Sequence, residues 1–275
     1  MNTHHTRLRS ILTGLMLSIL TAQDPFVIDT SLSSSLPQSI ANSIEIADVD
    51  NDGYNDIIMS GYDSTRFGLF IDVINVNSQG ALTSGFSTNF ITYPDTIAEF
   101  SGGLGNLDLS DVNLDGSIDI YLNGSARSEL LMNSSSGYFS ESNWLQNMFV
   151  IHSNGKWGDV NMDGKPDLFL MGVKQPADNI LNELYLNTGT YLDEDPTTIF
   201  PALFTGSSAW GDYDNDGDPD LIIGGQTANP NSSVTRLYQN DPIGRLTEVT
   251  TADAISGIKS GAFHFSDLDS DGDLD

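Results

Sequence analysis

The chain has 275 residues, with 38 acids against 10 lysines and arginines and no cysteine, for a formal charge of −28. Apolar residues make up 39% of it, enough to build a core, so it is not a disordered polyelectrolyte. The charge argues against nucleic acid or an anionic membrane as partner, and the missing thiols exclude disulfides, thiolate metal sites and cysteine nucleophiles.

The first predicted element is a secretory signal peptide over residues 1–22. Arg7 and Arg9 form a short basic start, Ile11 to Leu20 is mostly apolar, and Ala22 offers a small residue for cleavage. Ten residues are too few to span a bilayer core, which takes about 20. No membrane insertion is expected after cleavage, and a secreted or cell-surface protein follows. The segment PFVIDTSL, residues 25–32, reads as a fourth strand that completes the last blade, like RLTEVTTA from Arg245; the alternative is a loose leader over residues 24–42.

From there the chain repeats itself. Five segments share the pattern D-x-[DN]-x-D-G-x-x-D: DVDNDGYND, DVNLDGSID, DVNMDGKPD, DYDNDGDPD and DLDSDGDLD. Their first acids are spaced by 63, 48, 53 and 55 residues, a period that marks a repeat architecture. A large apolar residue stands two places before each: Ile46, Leu109, Trp157, Trp210 and Phe265. The first four loops lead into the apolar runs IIM, IYL, LFL and LII, each followed by a glycine. A tight polar loop between two β-rich runs predicts a hairpin. Third and fourth strands are predicted in SELLMN and GYFSES, in NELYLN and TYLDED, and in VTRLYQN and RLTEVT, with LFIDVINVN in the first copy. Four short strands per period make a propeller blade, and no stretch carries a sustained helical period. The expected fold is all-β, a β-propeller of four-stranded blades with calcium-binding hairpin loops.

Each loop sets side-chain oxygens at positions 1, 3, 5 and 9. These are Asp48, Asp50, Asp52 and Asp56 in the first loop, and Asp111, Asn113, Asp115 and Asp119 in the second. In the third they are Asp159, Asn161, Asp163 and Asp167, and in the fourth Asp212, Asp214, Asp216 and Asp220. The fifth offers Asp267, Asp269, Asp271 and Asp275. Hard oxygen ligands in this number, with glycine at position 6 for the sharp turn, suit Ca2+ rather than zinc or copper. Up to five structural calcium ions are expected. The five loops hold 20 of the 38 acids, so metal sites account for much of the acidity. An EF-hand is excluded because position 12 is Met59, Leu122, Leu170 or Ile223 instead of an acid. A dockerin loop fails on the same position, a thrombospondin type 3 repeat needs cysteines, and the paired glycines of RTX repeats are missing.

These residues carry a resemblance. DYDNDGDPDLIIGG and DLDSDGDLD resemble the calcium loops of the FG-GAP/VCBS repeat family, which includes the N-terminal propeller of integrin α subunits. The resemblance covers roughly residues 25–275. It implies a calcium-binding propeller in which the loop joins the first two strands of each blade and positions 1, 3, 5 and 9 supply the ligands. Asn113 and Asn161 lower the charge of their loops and are expected to weaken those sites. The FG and GAP signatures are poorly kept, with SGGLGN, SNGKWG, TGSSAWG and SGAFHF in their place.

The chain ends at position 9 of the fifth loop, from which a longer polypeptide and an incomplete ring, seven-bladed when complete, are expected. Candidate chemistry is sparse. His152 and His264 are expected as strand side chains, and Trp157 and Trp210 as core residues in preference to sugar platforms. Asn123, Asn133 and Asn231 head glycosylation sequons. No catalytic residue is singled out. The expected function is an adhesion or ligand-binding module for an extracellular protein or glycan. The alternatives are a secreted polysaccharide lyase or hydrolase, and a spacer for a C-terminal domain or surface attachment beyond Asp275. As independent repeats, the loops are expected to bind one by one, so that loss of Asp216 weakens one site alone.

Overall fold

In a computed structural model the described residues are 40–63, 68–78, 81–92, 106–123, 128–135, 137–145, 150–174, 179–229, 232–250, 255–259, 261–270, 272 and 274. They belong to one compact unit, Ser39–Asp275. The expected signal segment, the strand at 25–32, Asn231, Asp271 and Asp275 lie outside them.

Every element assigned is a strand, and the sixteen strands form four antiparallel sheets of four in chain order. The first sheet holds β1 (Ile40–Ala47), β2 (Asp56–Asp63), β3 (Gly68–Val76) and β4 (Leu82–Thr92). The second holds β5 (Asn106–Ser110), β6 (Asp119–Asn123), β7 (Ser128–Asn133) and β8 (Phe139–Glu141). The third holds β9 (Val150–Gly158), β10 (Asp167–Lys174), β11 (Asn179–Asn187) and β12 (Leu192–Asp195). The fourth holds β13 (Leu203–Gly211), β14 (Asp220–Thr227), β15 (Ser233–Gln239) and β16 (Thr247–Glu248). Each of the first four acidic loops joins the first strand of its sheet to the second, and each second strand begins on the position 9 acid. The four-strand repeat unit read from the sequence is therefore the one the chain adopts.

The apolar runs after the loops are continuous because those strands are buried on both faces. Successive side chains of a strand point to opposite sides. On β10, Leu168 and Leu170 enter a core shared with the second sheet, where they meet Val112, Leu130 and Val150. Phe169 and Met171 enter the core shared with the fourth sheet, beside Leu203, Leu221 and Ile223. A third core joins the first and second sheets through Ile58, Ile71, Leu107, Ile120 and Leu122. Each pair of successive sheets thus encloses its own core.

The residue two places before each loop locks successive first strands together. Trp210 covers Gly158, where an added Cβ would stand 2.8 Å from the indole, and its Nε1 donates to Lys156 O at 3.1 Å. Phe265 covers Gly211 in the same way, at 2.4 Å. Trp157 packs on the core between the second and third sheets, edge-on to Tyr121 at 5.8 Å. Both tryptophans are packing residues. Ile46, at the same place in the first repeat, is 64% exposed, with no described strand for it to cover. The segment leading to the fifth loop lies on the fourth sheet. Thr235 Oγ1 donates to Ser256 O at 3.0 Å, and Phe263 stands over Gly224.

Candidate metal centres

The loop conformation is set by its own backbone and acids. Residues 51, 114, 162, 215 and 270, all at position 4, have φ between 58° and 64°. Position 6 is glycine in each loop with φ between 84° and 100°, the left-handed region that favours a residue without Cβ. The position 1 acid closes the turn. Asp48 accepts from the N–H of Asp52 at 3.1 Å and of Gly53 at 2.8 Å. Asp111 does so from Asp115 and Gly116, Asp159 from Asp163 and Gly164, and Asp212 from Asp216 and Gly217, all between 2.8 and 3.0 Å. Asp267 accepts from Gly272 at 3.1 Å. At position 5, Asp52, Asp115, Asp163 and Asp216 accept from the amide two residues on. These are side-chain-to-backbone bonds that Asp offers readily in turns.

The position 9 acids Asp56, Asp119, Asp167 and Asp220 are fully buried. One oxygen of each accepts from the position 2 amide: Val49 at 3.1 Å, Val112 at 2.9 Å, Val160 at 3.1 Å and Tyr213 at 2.9 Å. The other accepts from the end of the third strand: Val76 at 2.9 Å, Asn133 at 2.8 Å, Asn187 at 2.7 Å and Asn240 at 2.9 Å. Burial pushes Asp119, Asp167 and Asp220 up to about 6; the two backbone amides pull the other way and the neighbouring acids push with burial. Asp56 is raised for the same reasons. A buried acid among like charges needs a proton or a cation close by.

Two groups of three carboxylates, each able to offer one oxygen within 4.8 Å of the others, stand among the described residues: Asp48, Asp50 and Asp56, and Asp212, Asp214 and Asp216. The first joins positions 1, 3 and 9, the second positions 1, 3 and 5. In the second and third loops an amide replaces the position 3 acid. There Asn113 Nδ2 donates to Asp115 at 3.0 Å, and Lys165 Nζ pairs with Asp163 at 2.7 Å. Slight burial pushes Asp163 up, but its bonds to Lys165 outweigh it and hold the carboxyl below its usual range. Asp214 is pushed up by burial and by Asp216 and Asp212. In the fifth loop Asp267 and Asp269 are exposed. All-oxygen donors of this density fit a hard divalent cation.

Sequence reasoning missed five residues that organise these loops. Asn75 Nδ2 donates to Asp50, and Gln239 Nε2 to Asp214, so each position 3 acid receives an amide from its third strand. Met132 and Leu186 occupy the matching positions in the second and third repeats. Asn133 and Asn187 end their third strands and Asn240 directly follows its own, and each donates from Nδ2 to the position 2 carbonyl of the preceding loop. The partners are Val49 at 2.6 Å, Val112 at 2.8 Å and Val160 at 2.7 Å. The signal was present, since SELLMN, NELYLN and VTRLYQN all end in Asn. Asn123 and Asn133 are buried, so these two sequon residues are closed to a glycan in the folded chain.

Away from the loops, a charged residue stands three places before position 1 in the first three repeats: Glu45, Asp108 and Lys156. Lys156 Nζ pairs with Asp108 at 2.6 Å, and the other Asp108 oxygen accepts from Trp157 N at 2.7 Å. Burial raises Glu45; the charges of Lys156 and His264 oppose it, and Asp108 adds to it. His152 lies on β9.

No curated protein matches this chain. One similar solved structure is described as the structural basis of specific recognition of non-reducing terminal N-acetylglucosamine by an Agrocybe aegerita lectin. It is 20% identical with a TM-score of 0.45, covering 74% of this chain and 49% of that one. The chain thus spans about half the length of that structure. The sequence also matches the FG-GAP-like repeat over residues 159–223 and 212–275, and each match begins on the first acid of a loop. Together the two matches cover residues 159–275.

Proposed function

We propose that this protein is an exported, calcium-held propeller module that binds an extracellular protein or glycan. The observation that supports it most is the grouping of three carboxylates within 4.8 Å in each of two loops whose backbones are already fixed by their own amides. Positions 1 and 9 anchor the loop, and positions 3 and 5 complete the oxygen set. A bound Ca2+ supplies positive charge that offsets the repulsion among these acids. Binding to the folded state alone adds about 2.7 kcal/mol per site at a hundredfold excess over Kd, which takes the place of disulfides in a cysteine-free chain. The apolar segment over residues 1–22 supports export, and the net charge of −28 favours partners other than nucleic acid. Rigid loops on a repeat scaffold are a common place for partner recognition.

Calorimetric titration with calcium, with melting followed in calcium and in chelator, tests the reading. Several sites and a higher melting temperature in calcium are expected. Melting unchanged by chelator overturns it. An array of extracellular glycans and matrix proteins, probed with and without calcium, tests the partner, with capture lost on chelation as the expected result.

A further inference from the structure

The third-strand asparagines belong to two loops at once. Asn133 donates its backbone N–H to Asp119 of its own loop and its side-chain amide to Val49 O of the loop before. Val49 N in turn donates to Asp56, the position 9 acid of that earlier loop. Asn187 and Asn240 repeat the arrangement. Asn187 links Asp167 to Val112, whose N–H donates to Asp119; Asn240 links Asp220 to Val160, whose N–H donates to Asp167. An unbroken row of hydrogen bonds, none longer than 3.1 Å, therefore runs from Asp56 through Asp119 and Asp167 to Asp220. Its members are buried, where an unmade hydrogen bond costs most. A second contact follows the same path. The turn after Asn133 brings Gly137 against Asp50 of the preceding loop, and the turn after Asn240 brings Gly244 against Asn161.

We propose that Asn133, Asn187 and Asn240 are positioning residues that couple the metal loops, so that loading one loop raises the affinity of its neighbours. This rests on the calcium reading above. When a cation fixes the position 9 acid of one loop, the row holds the position 2 carbonyl of the loop before and the third strand of the loop after. A neighbour then has less ordering left to do on binding. Independence of the loops, expected from a simple row of repeats, gives way to nearest-neighbour coupling.

The test is calorimetric calcium titration of the full chain, D163A, N187L/N240L, and the triple variant. D163A removes a ligand from the third loop. Coupling predicts that the remaining sites of D163A bind about fivefold more weakly than in the parent. In the N187L/N240L background the same D163A change is expected to leave the remaining sites unaltered, a non-additivity that a merely stabilising role does not produce. Remaining sites of unchanged affinity in D163A overturn the coupling, and this arm needs neither asparagine variant to fold. A D163A effect that persists without the asparagines also overturns it. Absence of calcium uptake by the parent chain overturns the calcium reading itself, a result distinct from either.

Discussion

The first and fourth loops differ from the second and third in one systematic way. All four share the same backbone, the same caged position 1 acid and the same buried position 9 acid. Where position 3 is an acid, the third strand supplies an amide to it, Asn75 or Gln239. Where position 3 is Asn113 or Asn161, the third strand supplies Met132 or Leu186, which pack on the cores instead. Position 4 follows the same division. Its left-handed backbone carries Asn51 and Asn215 in the first pair but Leu114 and Met162 in the second. Asn tolerates that conformation far better than Leu or Met. Inside the second and third loops the position 5 acid takes a partner from the loop itself, Asp115 a hydrogen bond from Asn113 and Asp163 an ion pair with Lys165. The loop fold therefore does not depend on loop charge.

The largest effect expected is the same in both classes. Asp119→Ala and Asp220→Ala each leave two backbone N–H groups unpaired, one of them at a buried residue of the third strand. A loss of about 3 kcal/mol is expected for each in chemical denaturation under chelation. A large difference between the two breaks the claim that position 9 plays one role in every loop.

Next in size is the exchange at position 3. Asp214→Asn is expected to weaken calcium at the fourth loop roughly tenfold, because ligand charge tunes such sites. Asn161→Asp is expected to strengthen the third loop by less, since Leu186 offers no amide there, and Leu186→Gln added to it restores the rest. Site-resolved calcium titration reads both. Equal and opposite effects for the two single changes remove the third-strand amide from the argument.

The smallest effect separates backbone from charge. Leu114→Asn, at an exposed left-handed position, is expected to stabilise the chain by about 0.5 kcal/mol in chelator. Destabilisation there means that Leu114 makes contacts that outweigh its backbone cost.

Much of this was legible in the sequence because its period is long and its signals are local. A loop such as DYDNDGDPD carries its own turn chemistry. Asp212 bonds amides four and five residues on, and Gly217 takes the positive φ that only its lack of Cβ makes easy. The apolar run LFL after the third loop announced a strand, and the structure divides its side chains between two cores. The left-handed position 4 was not legible, because Leu114 and Met162 are residues that rarely adopt it. Nor were the roles of Asn133, Asn187 and Asn240. A terminal Asn on a predicted strand looks like the start of a turn, and its partner carbonyl lies 75 to 84 residues earlier.

By itself, then, the sequence determined the repeat, the four strands of the second, third and fourth sheets, the loops between first and second strands and the oxygen donors they carry. Each of these depends on bonds and alternation within a few residues. Only the tertiary structure decided which acids come together, which are buried, and how one loop is tied to the next. Those outcomes depend on where whole sheets stack, and a side-chain amide finds a distant carbonyl only after two cores have closed around it.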